Sequence, residues 1–118
     1  MVRNKISVLV VEDETLLRLT TIDVLDDNGF QVHEAASADE AVDILESEMN
    51  IDILFTDIDM PGKLNGLDLV AHVLRENQDV AVLVTSGLTT PPAELSVEFL
   101  PKPYDFDDLP KRFLALKK

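Results

Sequence analysis

The feature that most constrains this chain is a series of short apolar runs, rich in β-branched residues, that end in polar or acidic residues. The first extends from Ile6 to Val11 almost without interruption and stops at Glu12-Asp13-Glu14. An apolar run of this length without polar alternation is typical of a strand buried on both faces of a parallel sheet. Parallel strands need long crossover connections, so helices are expected between the runs.

Strand and helix patterns alternate along the chain. The predicted strands cover residues 6–11, 30–35, 51–56, 80–85 and 97–100. The first helix is predicted over about residues 14–28 and ends at Gly29, and the second begins with a capping box at residues 37–40. The third helix is predicted to be capped by Asn65 and to bury Leu67, Val70, Ala71 and Leu74.

The last crossover and the last helix carry prolines. Residues 88–96 contain Pro91-Pro92 and two threonines, which leave room for at most one helical turn. Asp105 is predicted to cap the final helix, and Pro110 is expected to delay or kink its start. The sequence therefore predicts an α/β fold, a doubly wound five-stranded parallel sheet with a shortened or missing fourth helix. Residues 1–118 are expected to form one domain.

Composition excludes several classes of protein. With no cysteine, the chain can form no disulfide, thiolate metal site or cysteine nucleophile. Its 23 acidic residues against 10 basic ones, with no basic stripe, argue against direct binding of nucleic acid. No apolar run approaches the roughly 20 residues that a membrane span requires, so we expect no membrane association and a cytoplasmic location.

Polar residues gather where the predicted strands end, the edge at which doubly wound sheets bind ligands. They comprise three carboxylates, two hydroxyls and an ammonium group: Glu12, Asp13, Asp57, Thr85, Ser86 and Lys102. Two like charges about 4 Å apart repel by about 4 kcal/mol at an effective dielectric near 20, which implies a divalent cation. Oxygen ligands favour Mg²⁺, Mn²⁺ or Ca²⁺ over zinc, and a site that keeps several waters suits Mg²⁺. A carboxylate beside a metal, a lysine and a hydroxyl is suited to taking up a phosphoryl group.

Three segments resemble the receiver domain of two-component response regulators. Residues 8–13 match the family's first strand and acidic pair, residues 54–61 its phosphoacceptor segment, and residues 99–103 its lysine-proline turn. The resemblance covers the chain apart from about residues 88–96 and implies a flavodoxin-like, single-domain protein similar to chemotaxis regulators. The resemblance also implies which groups bind the metal ion. Asp13, Asp57 and the backbone carbonyl of Asp59 would bind Mg²⁺, and Glu12 would act mainly through a metal-bound water.

The resemblance further implies that Asp57 is phosphorylated, that Lys102 is the invariant lysine, and that Ser86 is the hydroxyl residue that follows the phosphoryl group. Thr85 is a competing candidate for that hydroxyl. Ser86 and Phe99 would act as switch residues, but Phe99 lacks the hydroxyl of a tyrosine and is restricted to packing. The spacing from Ser86 to Lys102 is several residues shorter than the family usually shows, and the loop at residues 61–66 is about one residue longer and adds Lys63 near the cleft.

The function implied is Mg²⁺-dependent phosphoryl transfer from a phosphohistidine to Asp57, which switches contacts between proteins. The expected partners are a sensor histidine kinase or a histidine phosphotransfer protein, together with an output protein. No separate substrate is turned over, so the chain is not expected to be an enzyme. Two alternatives stay open: a haloacid-dehalogenase-like phosphatase with Asp57 as nucleophile, and a receiver domain excised from a hybrid histidine kinase. Because the chain ends directly after the last predicted helix, no effector domain is expected.

Overall fold

The computed structural model describes residues 5–47, 50–60, 65–77, 79–95 and 97–117, and within them five strands form one parallel sheet. The strands are β1 (Ser7–Val11), β2 (Gln31–Ala35), β3 (Ile53–Asp57), β4 (Ala81–Ser86) and β5 (Glu98–Pro101). Their order across the sheet is β2-β1-β3-β4-β5. The chain runs outward from β1 to β2 and then returns to the other side of β1. Strand order therefore reverses between β1 and β3, and a ligand site is expected at the carboxyl ends of these two strands.

Four α-helices are present in the described residues: α1 (Thr15–Asp27), α2 (Ala38–Glu46), α3 (Gly66–Glu76) and α4 (Leu109–Leu116). The predicted caps are confirmed. Ser37 Oγ accepts a hydrogen bond from Glu40 N at 3.2 Å, and Asn65 forms a reciprocal capping box with Asp68. Gly29 follows α1 with a φ of +89°, a backbone conformation that glycine adopts without steric cost.

The sheet is covered on both faces, so successive residues of each strand enter different cores. In β1, Leu9 and Val11 pack on the side of α2 and α3, whereas Val8 and Val10 pack on the side of α1 and α4. This explains why the run carries no polar alternation. Phe113 of α4 is fully buried on the second side, with edge-to-face contacts to neighbouring aromatic rings.

The buried face of α3 differs from the prediction. Leu67 and Val70 contact the core, but Ala71 and Leu74 are exposed, so the prediction that these two are buried is wrong. The residues buried instead are Gly66, Leu69 and Val73. The helix is rotated by about one residue because Gly66 lies against the backbone of β3, where a Cβ atom at this position would be 2.1 Å from the carbonyl oxygen of Asp57.

The crossover from β4 to β5 contains only one 3₁₀ turn, Ala93–Leu95, among its described residues. Leu95 N donates to Pro92 O at 3.1 Å. Two consecutive prolines remove two backbone donors, so a regular helix cannot form across them. This crossover is the place of the fourth helix in the sequence prediction. The prediction that this helix is shortened or missing is confirmed, and the label α4 belongs to the helix after β5.

The final helix begins later than its cap, as predicted. Asp105 accepts a hydrogen bond from Asp107 N at 2.9 Å and caps a 3₁₀ turn, Phe106–Asp108. The α-helix follows from Leu109, with Pro110 in its first turn, where a missing N–H is tolerated.

Residues 61–64 lie outside the described residues, and so does the predicted position of Lys63. Across the described part of the chain, no helix has the length and apolarity needed to cross a membrane.

Candidate functional site

Three carboxylates converge at the carboxyl edge of β1 and β3. Glu12 and Asp13 directly follow β1, and Asp57 is the last residue of β3. Each offers an oxygen atom, and these oxygens lie within 4.8 Å of one another. Glu12 and Asp57 are buried, whereas Asp13 is exposed. The predicted acidic cluster is therefore present, and one of its three members opens to solvent.

Lys102 lies between two of these carboxylates. Its Nζ atom is 2.8 Å from Oε1 of Glu12 and 2.8 Å from Oδ2 of Asp57. The pairing of β4 with β5 brings the lysine here, because Lys102 N donates to the carbonyl oxygen of Ser86 at 2.9 Å directly after the paired residues. Burial would lower the pKa of Lys102, but its hydrogen bonds and charge interactions with Asp57 and Glu12 raise that pKa above its ordinary value. The side chain therefore stays protonated at neutral pH.

Glu12 is fixed by several donors. Besides the bond from Lys102, its Oε2 atom accepts a hydrogen bond from Glu14 N at 3.1 Å, and Arg18 donates to its backbone carbonyl at 2.8 Å. Burial, together with the nearby negative charge of Asp57, raises the pKa of Glu12 despite the opposing effects of Lys102 and the backbone of Glu14. With both carboxylate oxygens already engaged, Glu12 is less available as a direct metal ligand than exposed Asp13.

The carboxylate of Asp59 lies apart from the acidic cluster. It accepts a hydrogen bond from Ser86 Oγ and a longer one, 3.4 Å, from Leu88 N. Its backbone N–H donates to Oδ1 of Asp57 at 2.8 Å. Slight burial would raise the pKa of Asp59, but the hydrogen bonds that it accepts from Ser86 and from the residues after it lower that pKa below its ordinary value. The predicted metal contact of Asp59 through its backbone carbonyl stays a prediction, and the structure gives its side chain a different partner.

Ser86 and Thr85 are now distinguishable. Ser86 Oγ accepts hydrogen bonds from Leu88 N at 3.1 Å and from Thr89 N at 2.7 Å, and it donates to Oδ2 of Asp59. Thr85 Oγ1 is buried and has no hydrogen-bond partner within the described residues. Side chains of successive strand residues point to opposite faces, so only one of the two hydroxyls reaches Asp59.

Phe99 lies in β5, one strand further from the acidic cluster than Ser86 at the end of β4. It pairs in register with Val84 and is half-buried against the core on the α2 and α3 side. The two histidines, His33 in β2 and His72 in α3, are both partly exposed. Neither belongs to the acidic cluster.

Sequence reasoning missed two supports of the site. Arg18 joins the turn after β1 to β2, because it also donates to Glu34 at 2.9 Å. Thr21 of α1 and Tyr104 bring their hydroxyls within 3.2 Å of each other. Their separation of 83 residues gives no local signal, although the position of Tyr104 directly after Lys102-Pro103 places it near the site.

The donor set fits a magnesium ion. Among the residues that the structure describes, the cluster consists of carboxylate oxygens and includes no nitrogen or sulfur ligand. Mg²⁺ prefers oxygen ligands at about 2.1 Å, so oxygens around one ion lie about 3–4 Å apart. Separations within 4.8 Å need only a small side-chain adjustment to reach that spacing.

Comparisons with known proteins agree with this geometry. The family model described as the response regulator receiver domain matches residues 8–114. The chain is 34% identical over 110 residues to the sensor kinase CckA of Brucella abortus, covering 87% of this chain and 12% of the kinase. It is 41% identical over 80 residues to the aerobic respiration control protein ArcA of Escherichia coli K12, covering 68% of this chain and 32% of that protein.

The solved receiver domain of the hybrid histidine kinase CckA superposes with a TM-score of 0.82 at 34% identity, covering 95% of this chain and 99% of that one. The chain thus spans less than two thirds of the length of either curated relative, while it corresponds to nearly all of an isolated receiver domain. On its fold, its strand-end carboxylates and these matches, the chain belongs to the response regulator receiver domain family, whose members accept phosphoryl groups in two-component systems.

Proposed function

We propose that residues 1–118 act as one phosphoacceptor domain in which Asp57 receives the phosphoryl group. The observation that carries this proposal is the position of Asp57 at the end of the central strand β3, with Oδ2 held 2.8 Å from Lys102 and with Asp13 beside it. Asp13, Asp57 and the backbone carbonyl of Asp59 would hold Mg²⁺, with Glu12 acting through a metal-bound water. When bound, the ion neutralises charge on the phosphoryl oxygens.

In the transfer, an oxygen of Asp57 forms a bond to phosphorus while the bond between phosphorus and the imidazole nitrogen of the donor breaks. The histidine leaves with that electron pair. Lys102 keeps its proton and pairs with a phosphoryl oxygen in place of the carboxylate of Asp57. Catalysis by positioning and charge neutralisation is the mode expected for phosphoryl transfer, since the protein supplies little covalent assistance.

The phosphatase alternative is disfavoured by the end of β4. Phosphatases of the haloacid-dehalogenase type need an acidic residue near the fourth strand, and here the strand ends in Thr85 and Ser86, with Gly87 following.

The chain is proposed to turn over no separate substrate. We propose that the chain acts in the cytoplasm and makes no contact with nucleic acid or membrane. Its donor would be a sensor histidine kinase or a histidine phosphotransfer protein. Similarity to the receiver part of a sensor kinase fits either a stand-alone regulator or a receiver within a hybrid kinase.

The output signal is proposed to pass through the β4–β5 crossover. Phosphorylation would draw Ser86 and Lys102 onto new phosphoryl oxygens, and only contacts that differ between the two states can shift the equilibrium. Since the described crossover residues contain one 3₁₀ turn and no α-helix, the change is expected as ordering near Leu88 and movement at Phe99 rather than as a helix displacement. Hydrogen exchange with and without beryllofluoride should show increased protection at residues 88–95. Unchanged exchange there would contradict this route.

Phosphorylation of Asp57 is tested by incubating the protein with acetyl phosphate and Mg²⁺ and weighing it by mass spectrometry. The wild type should gain one phosphate, and Asp57→Asn should gain none while keeping its circular dichroism spectrum. Asp43→Asn is the matched control because Asp43 is an exposed acid on α2. A phosphate gained by Asp57→Asn would show that another residue is the acceptor.

A further inference from the structure

The hydroxyl of Ser86 has no free hydrogen-bonding capacity in this structure. A serine hydroxyl donates one hydrogen bond and has two acceptor lone pairs. Here it donates to Oδ2 of Asp59 and accepts from Leu88 N at 3.1 Å and Thr89 N at 2.7 Å. To bind any other acceptor, Ser86 must first release Asp59.

Donors of the β4–β5 crossover point to the same carboxylate. Ser86 Oγ and Leu88 N both reach Oδ2 of Asp59, and Thr89 N holds Ser86 in place by donating to its Oγ atom at 2.7 Å. Together, residues 86–89 form a donor cradle that holds an anion. The anion it holds is a side chain of the chain itself.

Asp59 is also tied directly to the phosphoacceptor. Its backbone N–H donates to Oδ1 of Asp57 at 2.8 Å, so the proposed acceptor and the anion in the cradle are two residues apart and joined by a hydrogen bond. A phosphoryl group on Asp57 would add a second anion within reach of the same donors. Both anions cannot use the single O–H of Ser86 at once.

We propose that Asp59 is an internal competitor for the phosphoryl group. Its carboxylate occupies the donor cradle at residues 86–89 in the unphosphorylated protein and must be displaced before Ser86 can bind a phosphoryl oxygen. This inference rests on the proposed phosphorylation of Asp57. The contact between Ser86 and Asp59 stabilises the inactive arrangement. Its strength sets how far a given phosphoryl mimic can shift the equilibrium toward the arrangement in which Ser86 binds a phosphoryl oxygen.

The test measures the affinity of the full chain for beryllofluoride at saturating Mg²⁺. Removing the competitor by Asp59→Ala should strengthen binding by about tenfold, the range expected for losing a hydrogen bond to a charged group. Mg²⁺ is kept saturating for each variant, so that a change in metal affinity does not enter the comparison. Asp59→Asn, which keeps the side-chain volume, is a second variant that should change the affinity in the same direction. In the nuclear magnetic resonance spectrum, the Leu88 and Thr89 amide signals of free Asp59→Ala should move toward their positions in the beryllofluoride complex.

A simple loss of negative charge near the site would also strengthen anion binding, and a double-mutant cycle separates the two explanations. In a Ser86→Ala background, the competitor has lost its main donor, so Asp59→Ala should strengthen binding much less than in the wild type. An equal gain in both backgrounds would overturn the proposal and indicate charge repulsion. Equal affinity of wild type and Asp59→Ala would overturn it as well, with phosphorylation of Asp57 untouched. Failure of the wild type to bind beryllofluoride would instead overturn the proposed function.

Discussion

The ammonium group of Lys102 donates a 2.8 Å hydrogen bond to Oδ2 of Asp57, 45 residues earlier in the chain. A matching bond to Glu12 places one cation between two carboxylates whose side chains are each only 5% exposed. Without it, the two acids would face each other in a region of low dielectric.

Replacing Lys102 by Met should therefore destabilise the fold in the absence of divalent ions. Removing one partner of a buried charge pair costs about 3 kcal/mol, because the remaining charges lose their compensation. Chemical denaturation of wild type and Lys102→Met measures the loss, and added Mg²⁺ should restore part of it. Lys111→Met, at an exposed position of α4, is the control and should change the free energy of unfolding little. Equal effects of the two variants would contradict a structural role for the pair.

Magnesium should stabilise the folded protein through the acidic cluster. An ion that binds only the folded state at 100 times its Kd raises the free energy of unfolding by about 2.7 kcal/mol. Asp13→Asn should remove most of this increase, since Asp13 is the exposed member of the cluster. Thermal melting with Mg²⁺, against KCl of equal ionic strength, provides the measurement, and Asp43→Asn should respond as the wild type does. If Asp13→Asn responds fully, the ion binds elsewhere.

A side chain at Gly66 should disturb both α3 and the phosphoacceptor. The added Cβ of Gly66→Ala would lie 2.1 Å from the carbonyl oxygen of Asp57 and 2.4 Å from Cα of Ile58, and neither backbone atom can give way cheaply. We expect a loss of about 3 kcal/mol of stability and weaker labelling of Asp57. The matched variant Gly87→Ala places its Cβ 3.6 Å from Cβ of Lys102, an ordinary contact, and should be nearly neutral. Denaturation midpoints that change alike in both variants would refute the close approach at Gly66.

Tyr104 offers a pH-dependent signal that can be observed alone, because it is the one tyrosine in a chain without tryptophan. Burial raises the pKa of Tyr104, and the hydrogen bond with Thr21 offsets only part of that effect. Tyrosinate absorbance should therefore appear at higher pH in the folded protein than in the denatured chain, which titrates near 10. The proton is held more tightly in the folded state, so this contribution to stability is full below the unfolded pKa and is lost as pH rises through the folded pKa. Thr21→Val should raise the pKa further; superimposable titrations of folded and denatured protein would contradict the burial argument.

The hydroxyl of Thr85, which finds no hydrogen-bond partner among the described residues, should be dispensable for folding. A buried hydroxyl without a partner costs about 1–3 kcal/mol, so Thr85→Val, which keeps the shape, should leave stability unchanged or raise it by about 1 kcal/mol. The same substitution at Thr21 removes a hydroxyl that bonds to Leu17 O at 2.8 Å and should lower stability. Urea denaturation of both variants distinguishes them, and a clear loss in Thr85→Val would show that its hydroxyl has a partner.

Local sequence patterns predicted the order of the strands and helices and the edge of the sheet at which the site forms. Apolar runs mark buried strands and capping residues mark helix starts, and both depend on residues within a few positions of one another. In a parallel sheet every strand ends at the same edge, so the convergence of Asp13, Asp57 and Lys102 follows from their places after the runs. The double proline likewise excluded a regular helix between β4 and β5 without reference to any distant contact.

The tertiary structure alone decided which atoms meet at that edge. The rotation of α3 depends on the approach of Gly66 to Asp57, and the periodicity was compatible with either of two adjacent apolar faces. Asp59 turns to Ser86, 27 residues away, instead of joining the acidic cluster. Such pairings depend on strand register, side-chain rotamers and the competition of several donors for one acceptor. A linear sequence fixes which groups are available, but their distances are set only when the whole sheet is assembled.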